Sequence, residues 1–111
     1  MRIILACAAG MSTSLLARNI QQVAQERGVD ISVEAMSTSS LDEAQWRSAD
    51  VVLLGPQMRH LLDDISTAGA EYHVPVAAIP PGDYAIANGQ NVLEQAVTLV
   101  QNREFRKDSG F

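Results

Sequence analysis

The sequence predicts an α/β protein, a three-layer sandwich in which helices cover both faces of a parallel sheet. Short aliphatic runs alternate with longer amphipathic segments along the whole chain, which implies parallel strand pairing through right-handed crossovers. Hydrophobic residues make up 47% of the chain but aromatic residues only 5%, so the core is aliphatic, as in parallel strands buried on both faces. The length of 111 residues suits one domain. We place that domain at residues 1–102 and expect the charged tail, residues 103–111, to fray.

The first three elements follow from hydrophobic patterning. Residues 2–6 form a continuous apolar run and are predicted as a buried strand. Residues 13–27 carry apolar side chains at helical spacing, and Gly28 is predicted to end that helix. Residues 31–36 alternate apolar and polar side chains, which indicates a half-exposed strand at the edge of the sheet.

The middle of the chain contains a short helix and the second buried strand. Ser40 and Glu43 have the spacing of a capping box at the start of a helix over residues 41–47, in which Trp46 is expected to cover the core. Residues 51–54 are an uninterrupted β-branched and aliphatic run. This composition predicts a central strand that is buried on both faces.

The last part of the chain repeats the alternation. A helix is predicted from residue 57 or 58 to residue 67, and a fourth strand over residues 74–79. Two prolines and a glycine then require a turn, residues 84–89 are interpreted as a loop, and residues 90–102 as a helix packed on the sheet.

Charge and composition exclude several classes of function. The net charge is −5, with 8 basic and 13 acidic residues, so a nucleic-acid partner is not expected. We expect no membrane insertion and no signal peptide, because every apolar run is far shorter than a membrane span and the run after Arg2 has only strand length. A single cysteine agrees with a reducing, cytoplasmic location. His60 and His73 have no second ligand type at metal spacing, so neither a metal nor a cofactor is expected.

Three predicted loops meet at one edge of the sheet. Strands one, three and four end at Cys7, at Gly55-Pro56-Gln57 and at Pro80-Pro81-Gly82. Ligands of parallel sheets bind beside the carboxyl ends of the strands, so we expect the binding site at this rim. Gln57 and Tyr84 are candidate contacts there.

The loop after the first strand has the features of a phosphate site. Its sequence is Cys7-Ala8-Ala9-Gly10-Met11-Ser12-Thr13-Ser14. The turn into a helix leaves backbone N–H groups without intrahelical partners, and the helix dipole adds partial positive charge. The same setting favours a thiolate, the nucleophilic form of cysteine. Ser12, Thr13 and Ser14 supply hydroxyl donors, or simply cap the helix.

The motifs closely resemble one known family. The cysteine loop after Ile3-Ile4-Leu5, the run from Ala49 through Gly55-Pro56-Gln57, and Tyr84 with Asn88-Gly89 before Val92-Leu93 resemble the B component of the lactose/cellobiose (chitobiose) sugar phosphotransferase systems. The resemblance extends from Met1 to about Asn102. Family members often have Tyr-Gly and Asp-Gly near Tyr84, where this chain has Ala85 and Asn88.

The resemblance implies both a fold and a function. The fold is a four-stranded parallel sheet in the order 2-1-3-4, and Cys7 is the residue that becomes a phosphocysteine. The A component is the phosphoryl donor through its phosphohistidine. The acceptor is a sugar held by the membrane C component, so the protein would act peripherally at the inner membrane.

Two other readings remain open. Low-molecular-weight tyrosine phosphatases and arsenate reductases also place a cysteine after the first strand, but they resemble the pattern cysteine, five residues, arginine. The equivalent position here is Thr13, and Arg18 lies a turn further along. The second alternative is a non-catalytic regulatory module that binds a partner or senses redox state through Cys7.

Overall fold

The computed structural model describes residues 1–8 and 11–109, with the side chains of residues 11, 12 and 104–109 outside the described part. Four strands form one parallel sheet in the order β2-β1-β3-β4, which confirms the predicted topology. The strands are β1 (Arg2–Cys7), β2 (Ser32–Ser37), β3 (Val51–Leu54) and β4 (Val76–Ala78). Since β1 and β3 are central, the two aliphatic runs of the sequence occupy the most buried positions of the sheet.

Within the described residues, five helices connect and follow the strands. They are α1 (Met11–Glu26), α2 (Glu43–Ser48), α3 (Leu62–Ala70), α4 (Pro81–Ala85) and α5 (Gly89–Ser109), and 3₁₀ turns precede α2 and α3 at Thr38–Ser40 and Pro56–Leu61. Gly28 has a φ of +68°, a left-handed conformation that ends α1 as predicted. No described helix is long and apolar enough to cross a membrane.

Two separate hydrophobic cores lie on the two faces of the sheet. One is formed by β1, β3, α1 and α5 and includes Ile3, Leu5, Leu16 and Leu93; the other is formed by β1, β3, α2 and α3 and includes Ile4, Leu54 and Trp46. Alternate residues of β1 point into opposite cores because successive side chains of a strand point to opposite faces. The helices on both faces and the burial of Trp46 are therefore as predicted.

The predicted capping box is wrong. Ser40 lies in the 3₁₀ turn, and α2 begins at Glu43 with Asp42 as its N-cap. The Asp42 carboxylate accepts a hydrogen bond from the backbone N–H of Gln45 at 3.0 Å. An aspartate at this position satisfies a backbone donor of the first turn and also interacts favourably with the helix dipole. Asp42, and not the serine two residues earlier, is therefore the N-cap of α2.

Several boundaries after β3 also differ from the prediction. The segment after β3 starts as the 3₁₀ turn Pro56–Leu61 and becomes α-helical only at Leu62. β4 is shorter than residues 74–79, because only Val76–Ala78 pair with β3. Part of the predicted loop at residues 84–89 is helical, since Pro81 occupies the first position of α4, where its missing N–H costs nothing.

The last helix is longer than predicted. It runs over Gly89–Ser109 rather than ending near Asn102. Arg103 contacts the β1–β3 end of the sheet that lies away from Cys7, where its guanidinium donates to the Asp50 carbonyl at 3.2 Å. Fraying of residues 103–111 stays a prediction.

Candidate functional site

Cys7 is the last residue of β1 and lies at the carboxyl edge of the sheet. Its parallel partner in β2 is Ser37, and on the other side the N–H of Gly55 donates to the Ala6 carbonyl at 2.9 Å. The Cys7 residue is only 3% exposed. The thiol therefore lies at the centre of the predicted rim, with its direction set by a rigid central strand.

Thr13 places a hydroxyl group next to the sulfur. It belongs to the first turn of α1, is fully buried, and its Oγ1 lies 2.7 Å from Cys7 Sγ. Because α1 begins at Met11, Thr13 lies inside its first turn. Capping of the helix by Ser12 stays a prediction, since that side chain lies outside the described residues. The structure therefore places the Thr13 hydroxyl group beside the sulfur of Cys7.

Tyr84 lies at the same site although it is 71 residues further along the chain than Thr13. It lies in α4, and its hydroxyl oxygen is 3.3 Å from Thr13 Oγ1. The backbone N–H of Tyr84 donates to the Pro80 carbonyl at 3.0 Å, so the turn after β4 fixes the base of the side chain. Tyr84 therefore lies at the rim next to Thr13, and its role as a contact for a bound group stays a prediction.

Gly55 has no side chain and so leaves space for its neighbours at the site. A Cβ atom at this position would lie 2.9 Å from Gln57 Oε1, 3.2 Å from Cys7 Cβ and 3.6 Å from Tyr84 Cε1. The bare backbone lets Cys7, Gln57 and Tyr84 approach one another. Sequence reasoning placed Gly55 in a rim loop but missed this steric role; a glycine at the end of a buried strand is the available signal.

The loop between α4 and α5 is held against α1. The Asn19 side-chain amide donates to the Ala87 carbonyl at 2.9 Å. Asn88 caps α5 by accepting from the Asn91 N–H at 3.0 Å, and the Asn91 side chain donates to Asp83 Oδ1 at 2.9 Å. These contacts fix the loop that follows Tyr84, and they give Asn88 a structural role.

The remaining predicted residues are distributed as follows. Ala8 is exposed at the end of β1, Ser14 is exposed on α1, and Gln57 is exposed beside Gly55. Ala9 and Gly10 lie outside the described residues, as do the side chains of Met11 and Ser12. His60 and His73 are exposed. Within residues 1–8 and 11–109, the structure has no group of three or more His, Cys, Asp or Glu residues able to hold a metal ion.

Four of the described side chains at this edge are of uncharged polar types. Cys7, Thr13, Gln57 and Tyr84 provide a sulfur, two hydroxyl groups and a carboxamide. An anion bound here would gain its favourable interaction from the N-terminus of the 16-residue helix α1 rather than from a basic side chain of this group. The arrangement can present a nucleophilic sulfur to a phosphoryl group.

The fold and this edge define a three-layer α/β protein with a buried cysteine at the end of a central strand, a few residues before a helix. The chain belongs to the PTS system, Lactose/Cellobiose specific IIB subunit family, whose model matches residues 2–95. It is the IIB component of a sugar-specific phosphotransferase system.

Two EIIB components of other bacteria align with nearly the whole chain. The PTS system oligo-beta-mannoside-specific EIIB component of Bacillus subtilis (strain 168) is 36% identical over 102 residues, which are 92% of this chain and 98% of that protein. The galactose-specific EIIB component of Lactococcus lactis subsp. cremoris (strain MG1363) is 38% identical over 102 residues, 88% of this chain and 94% of that protein.

Solved structures agree with this assignment. The cellobiose-specific IIB component of Borrelia burgdorferi matches with a TM-score of 0.77 and 34% identity, covering 93% of this chain and 94% of that one. An arginine phosphatase, YwlE, matches with a TM-score of 0.55 at 14% identity and covers 96% of each chain. At that identity the likeness to the phosphatase shows a shared fold alone.

Proposed function

We propose that Cys7 is the phosphoryl carrier of this IIB component. The sulfur attacks the phosphohistidine of the A component, and the resulting phosphocysteine passes its phosphoryl group to a sugar held by the membrane C component. The observation that carries the proposal is the position of Cys7, buried at the end of a central strand with the Thr13 hydroxyl 2.7 Å from its sulfur. The family assignment supports it.

Phosphoryl transfer suits a site without charged side chains around the sulfur. The reaction needs in-line positioning and stabilisation of the equatorial oxygens more than covalent help from the protein. We assign that stabilisation to backbone N–H groups of residues 9–14 together with the dipole of α1. The Gln57 carboxamide, beside Gly55, is a candidate contact for the phosphoryl group at the rim.

The phosphatase alternative is not favoured. A cysteine phosphatase needs an arginine to bind the phosphoryl group, and the equivalent residue here is Thr13, whose Oγ1 lies 2.7 Å from the sulfur. It also needs an acid for the leaving group. Asp83, the acidic residue of α4, accepts a hydrogen bond from the Asn91 side chain, which ties its carboxylate to the first turn of α5. Such a site holds a phosphoryl group until a partner removes it.

The sugar is expected to be selected by the C component. Two relatives with 36% and 38% identity are named for different sugars, an oligo-beta-mannoside and galactose. A shared B-component site that transfers to different sugars agrees with recognition of the sugar elsewhere. We place the protein in the cytoplasm, in contact with the membrane only through the C component.

Reconstitution tests the proposal. The protein is incubated with phosphoenolpyruvate, the general phosphotransferase proteins and a cognate A component, and phosphorylation is followed by mass spectrometry and ³¹P NMR. We expect one phosphoryl group per chain, attached to sulfur, absent from Cys7→Ser, and transferred to sugar only when membranes containing the C component are added.

Two results would contradict the proposal. Absence of labelling under these conditions would leave a non-catalytic module as the better reading. Rapid release of inorganic phosphate from an aryl phosphate by the protein alone would instead favour a phosphatase.

A further inference from the structure

Three polar side chains from two distant parts of the chain form one hydrogen-bonded row. Cys7 Sγ is 2.7 Å from Thr13 Oγ1, and Thr13 Oγ1 is 3.3 Å from the hydroxyl oxygen of Tyr84. Cys7 is 3% exposed and Thr13 fully buried. The row starts in α4 and runs through the Thr13 hydroxyl to the sulfur.

The charge of the sulfur decides the direction of both hydrogen bonds. A thiolate has no proton, so the Thr13 hydroxyl must donate to it. A threonine hydroxyl has only one proton, so Thr13 can then bond to Tyr84 only by accepting from the tyrosine O–H. With a thiolate at Cys7, the row is polarised in a single direction, from Tyr84 through Thr13 to the sulfur.

We propose that Thr13 stabilises the Cys7 sulfur when its bond to phosphorus is broken, and that Tyr84 acts through Thr13 as a positioning residue. This inference rests on the proposed function, because it concerns the same sulfur and the same transfer. It adds that the site promotes release of the phosphoryl group as well as its capture.

The chemistry of the transfer explains why the hydrogen bond matters at release. When the phosphocysteine reacts with the sugar, the S–P bond breaks, an O–P bond to the sugar forms, and the electron pair of the S–P bond remains on sulfur. The proton of the sugar hydroxyl leaves to a base on the C component or to water. Sulfur in the phosphocysteine is a weak acceptor, whereas the departing thiolate is a strong one, so the Thr13 bond is stronger after the bond breaks. Such a difference lowers the barrier to transfer.

Tyr84 contributes by orienting the donor. Its O–H occupies a lone pair of Thr13 and thereby keeps the threonine proton directed at the sulfur. Hydrogen bonds in series also strengthen one another, although the second bond contributes less than the one that touches the sulfur. The ring of Tyr84 is held beside Gly55, so the hydroxyl can be removed without removing the ring.

Four variants and two controls test the inference. Thr13→Val removes the donor and keeps the side-chain shape, Thr13→Ser restores the hydroxyl, Tyr84→Phe removes the second donor, and Cys7→Ser supplies a blank. Tyr72→Phe and Thr67→Val are matched controls outside the row, since Tyr72 stacks on Trp46 and Thr67 bonds to the Asp63 carbonyl.

The first measurement uses the unphosphorylated protein. The ultraviolet absorbance of the Cys7 thiolate is recorded over a pH series, and the signals of all variants are compared at the pH of the wild-type midpoint. We expect the signal to fall in Thr13→Val and, by a smaller amount, in Tyr84→Phe, and to stay at the wild-type level in Thr13→Ser and both controls. This measurement needs no donor, acceptor or sugar.

The second measurement is the single-turnover transfer from the purified phosphorylated protein to sugar on membranes containing the C component. We expect the transfer rate constant to fall about tenfold to a hundredfold in Thr13→Val and about threefold in Tyr84→Phe, with unchanged half-saturation by the C component. Thr13→Ser should recover most of the rate.

The two measurements separate the inference from the proposed function. If the thiolate signal of Thr13→Val equals that of the wild type, the inference is overturned, whatever the protein does with phosphate. A second outcome is that the thiolate signal falls as expected but neither the wild type nor any variant becomes phosphorylated. In that case the relay function fails, while the hydrogen-bonded row to the sulfur is supported. A Thr13→Val protein that transfers at the wild-type rate also overturns the inference.

Discussion

Gly89 at the start of α5 provides the most direct test of how the fold supports the site. A Cβ atom there would lie 2.6 Å from the Asn19 carbonyl carbon, 2.7 Å from the Asn19 oxygen and 2.8 Å from the Ile20 nitrogen. All three are backbone atoms of α1, which no change of side-chain rotamer can move. The optimal separation of carbon atoms is about 3.5 Å or more, so Gly89→Ala requires α1 and α5 to separate by roughly 1 Å.

The expected cost of Gly89→Ala is about 2 to 4 kcal/mol. Overpacking of a close contact typically costs about 1 to 3 kcal/mol. The displacement also weakens the nearby hydrogen bond from Asn19 to the Ala87 carbonyl, whose net contribution is about 1 kcal/mol. Alanine has the better helix propensity, but this gain is at most about 1 kcal/mol and smaller at the first residue of a helix.

Urea denaturation followed by circular dichroism measures the effect. We expect a lower midpoint with an unchanged slope, and a melting temperature lowered by roughly 10 °C. Gly82→Ala is the matched control: nothing lies within 4 Å of a Cβ at Gly82, so its stability should stay within about 0.5 kcal/mol of the wild type. Equal midpoints for Gly89→Ala and Gly82→Ala would refute the steric argument.

Three further predictions concern the core, a helix cap and the site. Leu53→Ala should cost about 2 to 5 kcal/mol in urea denaturation, since Leu53 is fully buried, and a loss below about 1 kcal/mol would contradict the assigned core. Asp42→Ala should cost about 1 kcal/mol and Ser40→Ala less than half of that, whereas the reverse order would restore the serine as the cap of α2. Gly55→Ala should fold with about 1 kcal/mol less stability, because the flexible Gln57 side chain can move away from the new methyl group. The same variant should slow phosphorylation of Cys7 by the A component. A wild-type phosphorylation rate would disprove the steric role of Gly55.

The elements that could be predicted from the sequence are those whose pattern is local. The buried strands β1 and β3 are continuous aliphatic runs, and β2 shows the alternation of an edge strand. The start of α2 could not be predicted as well, because Ser40 and Asp42 are both good caps and the choice depends on where the preceding 3₁₀ turn ends. The start of α4 could not be predicted either, because a proline such as Pro81 is typical both of turns and of the first residue of a helix.

The sequence by itself determined the fold class, the strand order through its family resemblance, and the cysteine that we propose as the nucleophile. Cys7 and its loop are contiguous, so the strand, the turn and the helix that build an anion site can be read from one short stretch. The sequence also offered Tyr84 as a candidate contact at this rim, but only the tertiary structure showed which atoms meet there. Tyr84 lies 71 residues from Thr13 in the chain, and Gly55 matters for the space it leaves beside Cys7 and Tyr84. The physical reason is that such contacts depend on how β3, α1 and α4 pack around one edge of the sheet, and packing over long sequence separations leaves no local pattern.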